Sequence, residues 1–330
     1  MGDKLLEIEN LHVEYHTDDA RVFAVNGVDL DIGKGETLGL VGETGAGKTT
    51  TALSILKLLP SRTGKVTSGK ILLEGKDITA YTEADMRNIR GEIVSMIFQD
   101  PMTSLNPVLT VGYQIAEVLR LHKKGESHEK IERRVDEILK LVDIPPERKD
   151  DYPHQFSGGM KQRIVIAIAL ACEPKLLLAD EPTTALDVTI QAQVLSMMNE
   201  LKEKLNTAMI LITHDLGVVA ETCDRVAIMY AGEVIETGMV EQIFDPNMRH
   251  HPYTVGLFGA IPDLTKKTCR LNPIDGLMPD PTDLPKGCKF HTRCPQRMEV
   301  CQVKRPVITE SDGHKLCCHL FGAGTLERGK

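Results

Sequence analysis

The feature that most constrains the fold of this chain is a glycine-rich stretch near the N-terminus, Gly42-Glu43-Thr44-Gly45-Ala46-Gly47-Lys48-Thr49. An apolar run at residues 37–41 precedes it and is typical of a buried strand, whereas residues 50–59 have the apolar spacing of a helix. A strand, a glycine-rich turn and a helix in this order direct several backbone N–H groups at an anion. The G-x-x-x-x-G-K-T spacing therefore predicts a phosphate-binding loop.

Two side chains of this loop have the chemistry to bind a nucleotide. Lys48 is expected to reach the β- and γ-phosphates, and the Thr49 hydroxyl is expected to complete a Mg²⁺ shell. The alternative is a glycine-rich turn that binds nothing. Because both flanking elements are those that the motif requires, the sequence favours nucleotide binding.

Composition limits the class of protein. The chain has 330 residues, which suits one large domain with an appendage, and its hydrophobic content of 42% allows a sizeable core. The net charge of −8 argues against nucleic acid as the main partner. No apolar run approaches the length of a membrane span, and the N-terminus has no signal-peptide pattern. We therefore expect a cytoplasmic chain whose membrane role, if it has one, comes through other subunits.

The middle of the chain combines strands with an all-helical segment. Residues 5–15 and 22–32 have β patterns, and Tyr15 at the end of the first is, on residues alone, best explained as an ordinary strand aromatic. Residues 93–98 predict a second buried strand, and a polar loop at 102–106 follows it. The next helical patterns, at 110–122 and 127–142, are not separated by a strand, which predicts a helical insertion in an α/β body.

Three further stretches are candidates for chemistry. Ser157, followed by two glycines, suits the N-cap of a helical run at 164–172, and this could be a second anion site or a plain cap. The apolar strand at 175–181 ends in Asp180 and Glu181, whose side chains should point in different directions, one toward a metal ion and one toward a water. His214 ends a strand at 208–213, and the carboxyl ends of such strands are where open α/β sheets carry their sites.

Taken in chain order, these motifs resemble the ATP-binding subunit of an ABC transporter over residues 5 to about 245. The signature differs from the commonest form in having Met160 where Gln is usual. The motifs are Walker A (Gly42 to Thr49), the Q-loop (Gln99), the signature (Phe156 to Met160), Walker B (Leu176 to Glu181), the D-loop (Ala185 to Asp187) and the switch histidine (His214).

The resemblance implies an α/β P-loop NTPase fold with an antiparallel β subdomain and a helical subdomain at about 101–157. The ATP-binding domain would cover residues 1–250, and a small cysteine-rich extension would cover 251–330. It also reverses the interpretation of Tyr15, which falls where the family has its adenine-stacking aromatic.

The same resemblance implies the site residues. Glu181 would be the general base and His214 would orient the attacking water, whereas Mg²⁺ would be held by Thr49, Gln99 and Asp180. Ser157, Gly158 and Gly159 would hold the ATP of a partner subunit, next to a D-loop containing Asp187. ATP itself would be contacted by Tyr15, Gly42, Glu43, Thr44, Gly45, Ala46, Gly47, Lys48, Thr49, Thr50 and Gln99.

Within the family, the chain resembles the dipeptide and oligopeptide importers in three places: residues 99–107, residues 251–254 and the cysteine-rich extension. This branch implies partners: a second homologous ATPase, two membrane permeases and an extracytoplasmic solute-binding protein, with the chain on the cytoplasmic face of the membrane. Relatives with the same layout move nickel or other small solutes. Two further classes of protein compete with an importer subunit: a soluble ABC ATPase acting on ribosomes or DNA, and a nucleotide-binding regulator, which intact Glu181 and His214 argue against.

Six of the eight cysteines fall between Cys269 and Cys318. Four of them, spaced Cys288-x5-Cys294-x6-Cys301-x16-Cys318, could form a closed tetrahedral site, and chemistry alone leaves zinc and an iron–sulfur cluster as close competitors. The resemblance favours a 4Fe–4S cluster on these four, with Cys318 rather than Cys317 as the fourth ligand. Cys269 is interpreted as a bystander. We regard His291, His314 and His319 as reserve ligands, and the site as a staple for a small tail.

Overall fold

The computed structural model describes residues 4–184, 186–260 and 274–322. The chain divides into two compact units. The first comprises Met1–Leu6, Ile32–Thr37 and Leu73–Ile212, and the second comprises Glu7–Asp31, Leu38–Leu72 and Thr213–Lys330. None of the helices in the described ranges is long and apolar enough to span a membrane.

The strands of the described residues are, in chain order, β1 (Lys4–His16), β2 (Arg21–Gly33), β3 (Thr37–Val41), β4 (Gly64–Leu73), β5 (Lys76–Asp77), β6 (Val94–Ile97), β7 (Leu176–Asp180), β8 (Ala208–Ile212), β9 (Arg225–Tyr230), β10 (Glu233–Met239), β11 (Ile308–Ser311) and β12 (His314–Cys317). The helices are α1 (Lys48–Ile55), α2 (Glu83–Arg87), α3 (Pro101–Ser104), α4 (Val111–His122), α5 (His128–Leu141), α6 (Gly158–Leu170), α7 (Val188–Leu205), α8 (Leu216–Thr222), α9 (Val240–Phe244), α10 (Pro252–Gly259) and α11 (Val300–Val303).

The first unit contains three parallel strands, in the order β6, β7, β8. Ile97 lies opposite Ala179, and Asp180 lies opposite Ile212, so the carboxyl ends of these strands meet at one edge. Every residue of β7 and β8 is buried. Such continuous apolar runs are typical of strands that are covered on both faces.

Helices α3 to α6 follow one another in the first unit, with no strand between them in the described residues. Thr110 and Ser127 cap α4 and α5 through their hydroxyl groups, where the sequence predicted the helices to start. The expected polar loop at 102–106 is wrong in part, because α3 forms one helical turn there. The hydroxyl of its last residue, Ser104, donates a hydrogen bond to the carbonyl of Asp100 at 2.7 Å, which stabilises the turn.

Helix α6 follows the N-cap predicted for it, Ser157, but extends further toward the N-terminus than its apolar run. The periodic apolar run indicated 164–172, but the helix begins at Gly158, directly after its N-cap Ser157. The first two helical residues are glycines, which carry no apolar periodicity. The apolar pattern therefore identified the helix but not its first turn.

The second unit contains a mixed sheet. Strand β3 pairs in parallel with β9, β9 pairs antiparallel with β10, and β12 continues the sheet between β10 and β11. In a separate sheet, β1 lies between β2 and β4. The sequence analysis did not predict β11, β12 or α8. The two strands are short and mostly polar. They pair with each other across the turn at Asp312-Gly313, whereas β10, the other partner of β12, is distant in the chain.

Candidate functional site

The glycine-rich loop of the second unit runs from the end of β3 to the start of α1. Gly42 has a φ of 159°, and a Cβ there would lie 2.3 Å from the carbonyl oxygen of Met229 on β9. A side chain is therefore excluded, because the backbone passes too close. Helix α1 begins at Lys48 after a glycine N-cap, Gly47. The loop thus leads into a helix N-terminus without a capping side chain, a geometry that favours a phosphate group.

Lys48 folds back onto the loop that precedes it. Its Nζ donates to the carbonyl oxygens of Gly42 at 2.6 Å and Glu43 at 3.0 Å, and the residue is buried. A buried ammonium group requires such acceptors to replace lost water. The amine is therefore held at the loop, where a phosphate oxygen would be a stronger, charged acceptor.

Tyr15 lies beside the first turn of α1. Its hydroxyl is 3.2 Å from Oγ1 of Thr50, and the residue is half-buried. A Cβ on Gly64 would lie 3.1 Å from the Tyr15 ring, so the neighbouring backbone leaves little space on that side. The ring therefore borders the helix that the phosphate-binding loop opens into, and its stacking on a base stays a prediction.

Two side chains from the later part of the chain hold Glu43, and the sequence analysis assigned neither to the loop. Nη1 of Arg293 donates to Oε1 and Oε2 of Glu43 at 3.2 and 3.0 Å. The backbone N–H of Glu43 donates to the hydroxyl of Tyr253 at 3.0 Å. Tyr253 lies in a stretch that was noted only as a family pattern. Arg293 is separated from Glu43 by 250 residues, and no local signal connects them.

The carboxyl end of β7, in the first unit, carries the two acids. Asp180 is 2% exposed and is the last residue of the strand. Glu181 is half-buried, has a left-handed φ of 47°, and donates its N–H to the carbonyl of Ile212 at 2.8 Å. This conformation costs a non-glycine residue roughly 1–2 kcal/mol, and such strain concentrates at functional sites.

The structure brings together two of the predicted site residues, Gln99 and Glu181. Nε2 of Gln99 donates to Oε2 of Glu181 at 3.2 Å, and the Thr184 hydroxyl donates to the same oxygen at 3.0 Å. Thr184 was not predicted to contribute. The two donors orient a carboxylate that remains accessible to solvent.

His214 lies in the second unit, directly before α8, and is exposed. The next residue, Asp215, is the N-cap of α8 and accepts hydrogen bonds from the N–H groups of Gly217 at 2.9 Å and Val218 at 3.3 Å. The cap fixes the backbone on one side of the histidine. The proposed cooperation of His214 with Glu181, a residue of the first unit, stays a prediction.

The signature segment forms the exposed N-terminus of α6. The hydroxyl of Ser157 accepts from the N–H of Met160 at 3.4 Å, and Ser157 and Gly158 are exposed. Space is open where a Cβ of Gly158 would be, whereas at Gly159 it would meet Ile190 at 2.6 Å. This helix N-terminus is accessible to an anion bound by another molecule.

Arg148 supports the signature segment, and the sequence analysis missed it. Its guanidinium lies 4.1 Å from the centre of the Phe156 ring, and Nη2 donates to the carbonyl of Gln155 at 3.0 Å. Nη1 is 3.7 Å from the sulfur of Met160, the position where the family usually has Gln. The thioether is therefore compatible with the local packing, since a soft sulfur tolerates a cation as neighbour.

Asp187, the last residue of the predicted D-loop, caps a helix. It is the N-cap of α7, and its Oδ1 accepts from the N–H of Ile190 at 3.0 Å. Its side chain is exposed. Ala185, the first residue of the predicted D-loop, lies outside the described residues.

The four cysteines predicted to share a site lie near one another in the second unit. Gly287 allows this approach, because a Cβ there would lie 2.2 Å from the carbonyl of Cys301, which accepts from the N–H of Cys288 at 2.8 Å. Burial, with smaller contributions from the three neighbouring thiols, raises the pKa of Cys288 to about 12. Burial also raises the pKa of Cys318 to about 11, and Cys294 and Cys301 add to this.

Cys317 differs from its neighbour. Its thiol donates to the carbonyl of Pro306 at 3.4 Å, and burial followed by the charge of Glu233 raises its pKa to about 11, with no contribution from the other predicted ligands. Two reserve ligands, His291 and His319, bond backbone carbonyls at 2.8 Å. Cys269 lies outside the described residues.

The third reserve ligand, His314, belongs to a buried cluster with Glu236 and His250. Within the ranges that the structure describes, this is the group whose three metal-binding atoms lie within 4.8 Å of one another. Oε1 of Glu236 is 2.7 Å from Nδ1 of His250 and 2.9 Å from Nε2 of His314. These are hydrogen-bond distances, so the cluster is satisfied as an ion pair without a metal.

Comparisons with known proteins were made for the sequence and for the fold. Residues 25–184 match the ABC transporter family, and residues 235–301 match the C-terminal region of oligopeptide and dipeptide transporters. The dipeptide transport ATP-binding protein DppD of Bacillus subtilis is 53% identical over 321 residues, which are 96% of this chain and 95% of that protein. The oligopeptide transport ATP-binding protein OppD of Salmonella typhimurium is 48% identical over 316 residues, covering 95% and 93%.

Solved structures are similar to this chain over nearly three quarters of its residues. The protein cbiO1 from Clostridium perfringens, part of the ABC transporter complex cbiONQ, has a TM-score of 0.64 and 31% identity, covering 73% of this chain and 91% of its own. The ATP-binding cassette MJ0796, solved as a dimer with ADP and Pi, has a TM-score of 0.64 and 27% identity, covering 71% and 98%. These similarities confirm the predicted α/β P-loop fold with a mixed sheet and an antiparallel β subdomain.

Proposed function

The chain belongs to the ATP-binding subunits of ABC transporters that import dipeptides and oligopeptides with the energy of ATP, and we propose that Glu181 is the general base of its hydrolysis. The observation that carries this role is the environment of its carboxylate. It is half-buried, strained at the backbone, and oriented by Gln99 and Thr184. A protein that only bound nucleotide would need the phosphate-binding loop but not this arrangement.

The loop residues 42–49 bind the phosphates in this proposal. Their backbone N–H groups and the Lys48 ammonium neutralise the β- and γ-phosphates, and Tyr15 stacks on the adenine. Thr49, Gln99 and Asp180 supply oxygen ligands, the type that Mg²⁺ prefers. Bound Mg²⁺ would neutralise part of the charge on the transferred phosphoryl group. Because Nε2 of Gln99 already donates to Glu181, its Oε1 is the atom left for the metal.

Hydrolysis needs one proton transfer and one displacement. Glu181 accepts a proton from water, the water oxygen attacks the γ-phosphorus, and the bond to the β–γ bridging oxygen breaks. His214 orients the water and the γ-phosphate. The protein accelerates hydrolysis by positioning the reactants and neutralising charge, since it forms no covalent bond to phosphate.

The signature of one subunit is proposed to close the ATP site of another. Ser157, Gly158 and Gly159 form an exposed helix N-terminus, which is what a γ-phosphate held by a second molecule requires. Asp187, at the start of α7, would lie at the same interface. The similar cassette MJ0796 has been solved as a dimer. The partner ATPase is proposed to be homologous to this chain.

The remaining partners are two permeases and an extracytoplasmic solute-binding protein, with this chain on the cytoplasmic face of the membrane. We assign residues 1–250 to the ATP-binding domain, and its helical part at about 101–157, together with the segment after Gln99, to the permease contact. Residues 251–330 form the extension. The support for a transporter complex is the similarity to subunits of such complexes.

We propose that the extension binds a 4Fe–4S cluster through Cys288, Cys294, Cys301 and Cys318. The backbone N–H of Cys288 donates to the carbonyl of Cys301, and, after burial, the thiols of the other three cysteines all contribute to the raised pKa of Cys288, which supports one shared thiolate site. The resemblance to peptide-importer ATPases favours the cluster over zinc. Burial raises the pKa of Cys288 and Cys318, which keeps these two thiols protonated without metal, so binding must release their protons. A bound cluster would act as a cross-link in a small extension.

The test is transport by the assembled complex. The full chain is purified from its native membranes with its associated subunits and reconstituted in liposomes, and uptake of a labelled dipeptide is measured with and without ATP. ATP-dependent uptake that stops with Glu181→Gln supports the proposal. Purification with ribosomes or DNA instead of permeases, or uptake of nickel but not of peptides, would contradict it.

A further inference from the structure

We propose that Arg293 is a positioning residue for ATP binding, acting on the phosphate-binding loop through Glu43. The two side chains meet at 3.0 Å, and both belong to the second unit. The Arg293 side chain is 5% exposed and that of Glu43 is 29% exposed. The proposal concerns how the loop keeps its shape, beyond the roles of the residues that contact ATP.

Arg293 is itself fixed by the backbone of the extension. Nε donates to the carbonyl of Asp275 at 3.0 Å, and Nη2 donates to the carbonyl of Ile274 at 3.3 Å. Only Nη1 is directed at the loop, where it contacts both carboxylate oxygens of Glu43. A guanidinium held on two sides has little freedom left, so its third side presents a preorganised cation to the loop.

Tyr253 provides a second anchor for the same loop residue. Its hydroxyl accepts the N–H of Glu43, and its ring is fully buried against Tyr230 and Phe290, with centroids at 4.7 and 5.4 Å. Burial raises the pKa of Tyr253, so the hydroxyl stays neutral. The hydroxyl of Tyr230 also lies 3.4 Å from Nη1 of Arg293, which connects the two anchors.

Glu43 is thereby held at all three of its polar groups. Its carboxylate binds Arg293, its N–H binds Tyr253, and its carbonyl accepts Nζ of Lys48 at 3.0 Å. Through the carbonyl contact, the position of Glu43 also determines the position of Lys48, the residue proposed to bind phosphate. The carboxylate contact has a second effect, because an unneutralised Glu43 would repel the anionic nucleotide.

A purely structural role for the pair would hold the extension to the rest of the second unit and nothing more. Removing Arg293 would then lower the melting temperature but leave the ATP affinity of the folded protein unchanged. If Arg293 positions the loop, its removal should instead raise the Kd and the KM for ATP. The kcat should change by less than about twofold, because the loop binds substrate and transition state alike.

The experiment compares four forms of the full chain: wild type, Arg293→Gln, Glu43→Gln and the double variant. ATP Kd is measured by titration, and folding by thermal unfolding. We expect Arg293→Gln to raise Kd about tenfold, the usual cost of a lost charge-assisted hydrogen bond. The double variant should bind ATP as Glu43→Gln alone does, because Arg293 acts on the loop only through Glu43. Arg297→Gln, an exposed arginine of the same extension, is the control and should match wild type.

An unchanged Kd in folded Arg293→Gln, or a double variant whose loss of binding free energy equals the sum of the two single losses, would overturn the proposal. So would an equal effect of Arg297→Gln. If Arg293→Gln does not fold, Arg293→Lys and Tyr253→Phe replace it. Both are expected to raise Kd about threefold or more, since each removes hydrogen bonds from the clamp on Glu43. Wild-type Kd in both would overturn the proposal.

Discussion

The side-chain amide of Gln99 donates a hydrogen bond to the carboxylate of Glu181 at 3.2 Å. The two residues follow adjacent parallel strands, since Ile97 on β6 lies opposite Ala179 on β7. In the proposed function, the segment after Gln99 contacts a permease and Glu181 activates water. This hydrogen bond is therefore a direct physical connection between permease contact and hydrolysis, and a shift of Gln99 would reorient the base.

Glu181→Gln should bind ATP normally and hydrolyse it about 10²–10⁴-fold more slowly, because an amide cannot accept the proton. The substitution keeps the size of the side chain. ATP binding and phosphate release by the assembled transporter are the measurements, with Glu203→Gln, an exposed acid on α7, as control. Near-normal hydrolysis would remove Glu181 from the role of base.

Lys48→Ala should weaken ATP binding by about tenfold to a hundredfold, because the ammonium is expected to contribute charge-assisted hydrogen bonds to phosphate. A nucleotide titration of the purified chain measures this. Lys65→Ala, which removes an exposed lysine on β4 of the same unit, should bind like wild type. Equal affinities of Lys48→Ala and wild type for ATP would contradict the proposal that Lys48 binds the phosphates.

Tyr15 allows stacking to be separated from hydrogen bonding. Tyr15→Phe loses only the contact with Thr50 and should keep ATP affinity, whereas Tyr15→Ala loses the ring and about 1–3 kcal/mol of binding. Binding of ATP and of inorganic triphosphate is compared. The difference between Phe and Ala should disappear with triphosphate, which has no base. An equal loss in both variants with ATP would assign the effect to the hydroxyl.

The parts of the fold that were predictable are those encoded locally. The glycine-rich loop, β7 and the caps at Thr110 and Ser127 each follow from a spacing or a residue type within a few positions. Strands β11 and β12 were missed. Their local signal is the Asp312-Gly313 pair, typical of a two-residue hairpin turn, but the runs around Thr309 and Lys315 are too short and polar to indicate strands before β12 pairs with β10.

The candidate site likewise contains residues that the sequence identified and residues that only the fold revealed. Motif residues such as Lys48 and Glu181 could be named from the sequence, because their chemistry depends on near neighbours in the chain. The clamp on Glu43 could not, since Arg293 looks like any arginine of a basic tail until the fold brings it to the loop. Thr184 and Arg148 are close in the chain to the residues that they contact, but neither belongs to a recognised motif, so no sequence signal indicated these contacts.

The proposed cluster predicts which of two neighbouring cysteines can be replaced without loss of iron. Protein purified without air should contain about four iron atoms per chain, and Cys318→Ser should lose them, because one of four ligands is missing. Cys317→Ser, the neighbouring residue whose thiol bonds the carbonyl of Pro306, should keep its iron. Iron content and the visible spectrum are measured for both. One zinc per chain, or loss of iron in Cys317→Ser only, would refute the assignment.

The buried pair of His250 and Glu236 predicts a pH dependence of stability. Nδ1 of His250 is 2.7 Å from Glu236, and Nε2 is 2.8 Å from the carbonyl of Asp245. Both partners are acceptors, so only the doubly protonated ring satisfies both. The hydrogen bond to Glu236 raises the pKa of His250. Burial would raise the pKa of Glu236, but hydrogen bonds from His250, His314 and Thr254 lower it to about 2.

The sign of the effect follows from these directions. The raised pKa of His250 means that its contribution to stability is complete below about pH 6.5, its unfolded value, and is lost as pH rises through the folded value. The lowered pKa of Glu236 makes its contribution complete above about pH 4.3, and that contribution is lost as pH falls toward 2. Between pH 6 and 9, therefore, only the His250 contribution should decline.

His250→Gln isolates that decline, because glutamine can donate to Glu236 at every pH. At pH 6 the variant should be less stable than wild type by about 2–3 kcal/mol, since a buried carboxylate loses its cation. The difference should shrink toward pH 9, because the wild-type ring loses its proton as pH rises through the raised pKa of His250. Urea unfolding at both pH values measures it, with His128→Gln on α5, whose side chain is 75% exposed, as control. Parallel pH profiles for wild type and His250→Gln would mean that the ring is neutral in the folded protein, and that the contact with Asp245 is then not a hydrogen bond.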